Sequence, residues 1–375
     1  MNFTFTEEQT LLAESLQRFV QDHYDLDQRE TVVKKEPGYT EEHWQTFAEL
    51  GWLALPFSED DGGIGGNELD TMLVMEEFGK GLVVEPWLPS VVLAGAALRM
   101  AATPSQRQKY IGGLIDGSLK GAVGWLEDSS RFDVTRISTR AEPDGEGFVI
   151  NGAKSLVLGA AAADFIIIQA RTGTDGISLF IVDKDAAGLK VSGYPTVDGL
   201  RAAEVTLKDV AVGGEQLLGE QNQGMDVLNE VTRQGLLAVC AEAVGIMENL
   251  YKDTVEYTRT REQFDHPLSE FQVLRHRMAD MFVEYELCKS LLYRATMEKA
   301  EGAGTADQSL HALKVLVGKS GRFIAQNAVQ LHGGMGLTEE LRIGHYFKRM
   351  TVIESQFGGT DAHLSRYVKA MRQAL

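Results

Sequence analysis

Residues 147–152 read GFVING, 163–170 ADFIIIQA, 177–183 ISLFIVD and 202–212 AAEVTLKDVAV. These short runs are rich in β-branched and aromatic side chains and are punctuated by Gly, Asp and Asn, the composition of strands joined by turns. They predict a β domain over residues 121–220, of the common domain size of about 100 residues. On its N-terminal side the pattern is helical. Leu11, Leu12, Leu16, Phe19 and Val20 recur on one helix face, with Thr6 and Glu8 near the expected start. Trp44, Phe47, Leu50 and Leu53 continue the period, the GGIGG run at Gly62–Gly66 interrupts it as a loop, and Leu69–Leu82 resumes it. Pro86 and Pro89 break the chain before a helix over Val91–Met100, and Pro104 opens another. Residues 1–120 therefore read as a helical domain. On the C-terminal side Met225–Thr260, Leu274–Glu301 and His311–Leu331 are long periodic runs without proline, so residues 221–375 read as a four-helix bundle. The expected fold class is α+β, in the order α, β, α.

The 375 residues suit two or three domains at roughly 100–200 residues each. Lys plus Arg total 36 against 54 Asp plus Glu, a net charge of −18, which argues against nucleic acid as a partner because phosphate contacts need a basic face. Cys240 and Cys288 both fall in helical runs and read as buried thiols of a reducing compartment. The start, MNFTFTEEQTLL, lacks a basic segment followed by an apolar one, and no apolar stretch approaches the ~18 residues of a membrane span. A cytoplasmic protein without membrane association is expected, and no metal.

Three constellations could carry chemistry. Arg261-Glu262-Gln263-Phe264 is followed by Gln272. The arginine can grip a phosphate, the phenylalanine offers a flat face, and the glutamine is both donor and acceptor. Gln330-Leu331-His332-Gly333-Gly334-Met335-Gly336 ends a helix with glycines that admit a ligand close to the backbone. Trp125–Asp133, read with Asn151-Gly152-Ala153-Lys154, forms the third. Taken singly, each has a plainer reading: a solvated turn, a helix C-cap, and a hairpin turn at NGxK.

Taken together, these runs and Gly359-Thr360 resemble the acyl-CoA dehydrogenase family over essentially the whole chain. LPFSEDDGGIGG (55–66), CAEAVG (240–245), EFQVL (270–274), QLHGGMG (330–336) and GHYFKR (344–349) are most similar to one branch, the small subunit of pimeloyl-CoA dehydrogenase. That branch resembles the two-component enzymes of fatty acid, dicarboxylate and steroid side-chain degradation. The resemblance implies an FAD cofactor, a tetramer, an acyl-CoA thioester substrate and an electron-transfer flavoprotein as electron acceptor. It implies that Arg261, Phe264 and Gln272 reach the FAD of a neighbouring subunit. Gln330 and Gly334 would contact the adenosine side, and Thr360 the pyrophosphate.

Several positions depart from the family pattern. The glutamate that removes the α-proton normally precedes the final Gly-Thr, where this chain has Gly358; the alternative position, on the first long C-terminal helix, corresponds to Gly235. The flavin-flanking tryptophan, threonines and serine are replaced by Leu156, Leu158, Leu126 and Phe132. Glu242, Glu354 and Glu85 are carboxylates that could stand in for the base, and Arg233 could bind an anion near it, although a solvated or ion-paired role is the common fate of such side chains. Three readings stay open: a subunit that pairs with a paralogue carrying the glutamate, a homotetramer with a displaced base, and a non-catalytic partner that completes a neighbour's FAD site.

Overall fold

The structure, a computed structural model, describes residues 5–128, 130, 133–174 and 176–373. The first helices are α1 (Glu7–His23), α2 (Leu26–Val33), α3 (Glu41–Glu49), α4 (Glu68–Gly81), α5 (Gly95–Ala101), α6 (Pro104–Gln106) and α7 (Gly112–Ile115). Strands β1 (Gly121–Gly124), β2 (Arg140–Asp144), β3 (Gly147–Leu158), β4 (Phe165–Thr172), β5 (Gly176–Asp183), β6 (Leu189–Pro195), β7 (Arg201–Val212) and β8 (Leu217–Leu218) follow. Next come α8 (Gly224–Thr260), the two-residue strands β9 (Glu262–Gln263) and β10 (His266–Pro267), α9 (Gln272–Ala300), α10 (Ala306–His332), α11 (Arg342–Ser355) and α12 (Thr360–Gln373). The expected α, β, α order and the α+β class are what is observed. Among the described residues no helix is long and apolar enough to cross a membrane.

The chain divides into two compact units. One comprises residues 1–31, 68–83 and 236–375 and is helical apart from the β9–β10 hairpin. The Thr6 hydroxyl caps α1 and Gln9 accepts from the Thr6 amide, a capping box at the expected start. Within this unit α4 and α8 approach closely. A Cβ on Gly79 would lie 2.1 Å from the Glu242 carbonyl oxygen, and one on Gly245 would lie 1.9 Å from that of Glu76. Only glycine permits such contact between backbones.

The other unit comprises residues 32–67 and 84–235. Its sheet runs β6-β7-β3-β2-β4-β5-β8, with β1 pairing in parallel to β4. β4 is buried along nearly its whole length, which explains its unbroken FIIIQA run, whereas β7 alternates buried and exposed residues. Ile150, Ile166, Ile168, Phe180, Val182 and Val205 form the centre of the core.

Two local expectations are corrected. The helix around Trp44 ends at Glu49, because Gly51 adopts φ 76°, so Leu50 and Leu53 lie in the following turns. The NGxK run is not a hairpin turn. It lies inside β3, with register shifts on either side, and Lys154 is fully buried.

Candidate functional site

The Arg261 constellation is a hairpin. β9 and β10 pair His266 with Gln263, and the two residues between them, Phe264 and Asp265, have φ of 57° and 62°. Two consecutive positive φ values are the mark of a type I′ turn, normally built from Asn and Gly. A phenylalanine there is strained by about 1 kcal/mol or more, and the residue is 84% exposed. Arg261 is exposed at the root of the hairpin, and Gln272 is exposed at the start of α9. The Arg261 amide bonds to the Tyr257 carbonyl at 2.9 Å, and the Tyr257 ring stacks on His332 with centroids 4.2 Å apart. The hairpin root is thereby tied to the end of α10, where Gln330 and Gly334 are both exposed. Arg261, Phe264, Gln272, Gln330 and Gly334 thus belong to one neighbourhood of the helical unit.

Position 358 lies in the turn between α11 and α12. Gly358 has φ 107° and Phe357 has φ 58°. Glu354 Oε1 accepts from the Thr360 amide at 3.3 Å and from its hydroxyl at 3.1 Å, so this carboxylate caps the start of α12. Glu242 is buried, and both of its oxygens are taken by Arg349, at 2.5 Å and 2.6 Å. The Arg349 fork occupies one accepting direction of each oxygen, so the acid expected as a stand-in base is engaged in a buried ion pair. Glu354 has a structural task of the same kind. Gly235 is a buried position of α8, and Arg233 lies 3.7 Å from Glu230. In the helical unit Glu30, Glu339 and His345 gather their ligand-type atoms within 4.8 Å, and Lys348 at 2.7 Å from Glu339 already balances one carboxylate.

In the sheet-bearing unit Leu126 and Leu158 are half-buried, and Leu156 is exposed with φ 52° at the bulge of β3. Polar groups beside Leu156 are acidic or engaged with acids: Tyr194 donates to Glu204 at 2.9 Å, and Ser155 donates to Asp128. Ser129, Arg131 and Phe132 lie outside the described residues. Behind this face Glu127 accepts from Lys154 at 2.7 Å and from the amides and hydroxyls of Ser138 and Thr139. Burial alone would raise the Glu127 pKa, but Lys154 and the two hydroxyls hold it at about 2. Burial pushes Lys154 down to about 8 against the pull of Glu127. Glu85 is wholly buried, with Oε1 3.0 Å from His43 Nδ1, and burial pushes its carboxyl up to about 8.

Three family descriptions match consecutive stretches: acyl-CoA dehydrogenase, N-terminal domain, at residues 6–118; middle domain at 122–210; C-terminal domain at 222–371. The chain belongs to the acyl-CoA dehydrogenase family. A relative named "Acyl-CoA dehydrogenase, short-chain specific" from Clostridium acetobutylicum is 28% identical, over 96% of this chain and 97% of that one. The structure of the ChsE4-ChsE5 complex from Mycobacterium tuberculosis superposes with a TM-score of 0.91 at 25% identity, covering 99% of each chain. The structure described as the FAD complex of PigA gives a TM-score of 0.91 at 25% identity, again covering 99% of each chain.

Sequence reasoning missed the Glu127–Lys154 pair, because NGxK was read as a turn. It also missed Arg349, His311, Lys314 and His363. A signal for part of this was present: His311, Lys314, Gly318 and Arg322 follow spacings of 3, 4 and 4 and so share one face of α10.

Proposed function

We infer that this chain is an FAD-dependent acyl-CoA dehydrogenase subunit that lacks a base of its own and works with a paralogous subunit carrying the glutamate. The observation that carries the reading is the turn at Gly358: the position to which the family resemblance assigns the glutamate has no side chain, and Glu242 and Glu354 are committed elsewhere. Family membership supports desaturation of an acyl-CoA thioester, with electrons passing to an electron-transfer flavoprotein. Likeness to a two-component complex supports a hetero-oligomeric assembly. In this reading the boundaries are residues 1–120, 121–220 and 221–375.

The residues present fit FAD. When bound, the cofactor supplies the hydride acceptor. Arg261 would hold its pyrophosphate through charge-assisted bonds, Phe264 would lie against a flat ring, and Gln272, Gln330, Gly334 and Thr360 would offer polar or close backbone contacts. The exposed, pre-shaped hairpin suits a cofactor shared between subunits. At Leu126 and Leu158 only backbone groups could bond to the ring system, so side-chain tuning would be weak there. The α-proton must pass to a base within hydrogen-bond reach, which the partner would supply.

The test is to purify the chain with and without its partner and to follow flavin bleaching by acyl-CoA thioesters of several lengths. Bleaching only in the complex is expected, and rapid bleaching by the chain alone would sink the reading. A second reading, a non-catalytic partner, is favoured by the carboxylates Asp128 and Glu204 beside Leu156. A complex that carries flavin only on the paralogue would decide for it.

A further inference from the structure

The turn that holds Gly358 is gripped from one side by a polar stripe. His311, Lys314, Gly318 and Arg322 lie along one face of α10. Lys314, fully buried, donates to the Ile353 carbonyl near the end of α11. Arg322 lies 3.7 Å from Glu354, the residue that caps α12. Gly318 leaves room for Thr360, whose hydroxyl would be 2.3 Å from a Cβ there. His311 reaches the turn through His363, which is wholly buried on α12: His363 Nδ1 is 3.1 Å from His311 Nδ1, and His363 Nε2 is 3.0 Å from the Phe357 carbonyl.

A carbonyl only accepts, so His363 Nε2 must carry the hydrogen. Burial holds the ring neutral, so its Nδ1 is an acceptor, and the donor facing it is His311 Nδ1–H. The ring is thus fixed at both ends as a neutral tautomer, and its edge closes the space beside Gly358. A Cβ built on Gly358 would lie 3.1 Å from His363 Nε2, and φ 107° is a region that L residues rarely adopt. We propose that His363 is a positioning residue that locks the α11–α12 turn in a glycine-only conformation, so that one substitution at position 358 cannot restore a base to this chain. The functional consequence rests on the reading of 358 as the base position; the lock itself does not.

The experiment uses the full chain. Long-range ¹H–¹⁵N correlation of the imidazoles should show His363 as the Nε2–H tautomer with Nδ1 accepting. Gly358→Ala should lower the thermal midpoint by several degrees, and His363→Leu should lower it and broaden the amide signals of 356–359. His363→Gln places an amide N–H near the Nε2 position and should recover the native signals of that turn. Gly358→Glu, folded or not, should give no exchange of the thioester α-proton into D₂O. An Nδ1–H tautomer, a Gly358→Ala variant as stable as the parent, or a His363→Leu variant with unchanged turn signals would overturn the lock. A Gly358→Glu variant that exchanges the α-proton would overturn it as well, while upholding 358 as the base position. An intact lock together with native activity of the chain alone would instead overturn the proposed function and leave the lock standing.

Discussion

Arg349 closes on Glu242 with both arms of its fork, Nε to Oε1 at 2.5 Å and Nη2 to Oε2 at 2.6 Å, across 107 residues of sequence. Both side chains are buried, so each charge depends on the other. Removing one partner leaves an uncompensated buried charge, at a cost of about 3–5 kcal/mol. Glu242→Gln and Arg349→Met should each destabilise the chain by that order in urea unfolding. The double variant should recover much of the loss. Strictly additive losses would show that the two groups act independently.

Glu127 makes the acid limb steep. Its folded pKa, about 2, is below the ordinary value of 4.5. Its stabilisation is therefore complete above pH 4.5 and is lost as pH falls toward 2. Glu127→Gln should flatten unfolding over that window and lower stability at pH 7 by about 3–5 kcal/mol, because Lys154 is stranded. An unchanged acid limb would count against the pair.

Glu85 acts with the opposite sign. Its folded pKa, about 8, is above the ordinary 4.5. Between these values the folded chain holds a proton that the unfolded chain has released. The Glu85 contribution is full below pH 4.5 and falls as pH rises toward 8, by about 1.4 kcal/mol for each pH unit crossed. Glu85→Gln should remove that fall, which chemical denaturation at pH 5, 6.5 and 8 would read directly. A Glu85→Gln curve parallel to the wild type across this window would refute the assignment.

Arg261→Ala should weaken FAD retention. Charge-assisted bonds to a phosphate are worth about 1.5–3 kcal/mol, or roughly tenfold to a hundredfold in affinity. Phe264→Gly should weaken binding less, since it also relieves the positive φ at the hairpin tip. Flavin content after gel filtration and a fluorescence titration would measure both. Undiminished flavin in Arg261→Ala would remove the hairpin from the cofactor site.

Much of this was legible in the chain. Periodicity placed the long helices, because proline is absent and each buries one stripe. The β-branched runs placed β3, β4, β5 and β7, because their residues face a dry interior. What could not be read were meetings of distant residues. Glu242 was visible as an acid on a packed helix, but nothing near it in sequence announces Arg349. Lys154 looked like a turn residue, because NG normally marks a hairpin; here the strand continues through a bulge, and the lysine points inward at Glu127. The absence of a carboxylate at 358 was plain, but the left-handed turn and the histidine behind it depend on tertiary packing.

The α4–α8 crossing has a consequence for how the helical unit tolerates change. Gly79 faces the carbonyl of residue 242 while Gly245 faces that of residue 76, so the contact is reciprocal and the helices are antiparallel there, with each glycine three positions beyond the carbonyl that its counterpart touches. Sliding one helix by a turn, about 5.4 Å, would bring a side chain against a backbone oxygen at both points at once. The crossing therefore works as a vernier with a single reading. It sets the axial position of Glu242 on α8 and hence where its partner arginine must arrive. An insertion in either helix would be felt first as a mismatch in this register, well before any loss of helical propensity.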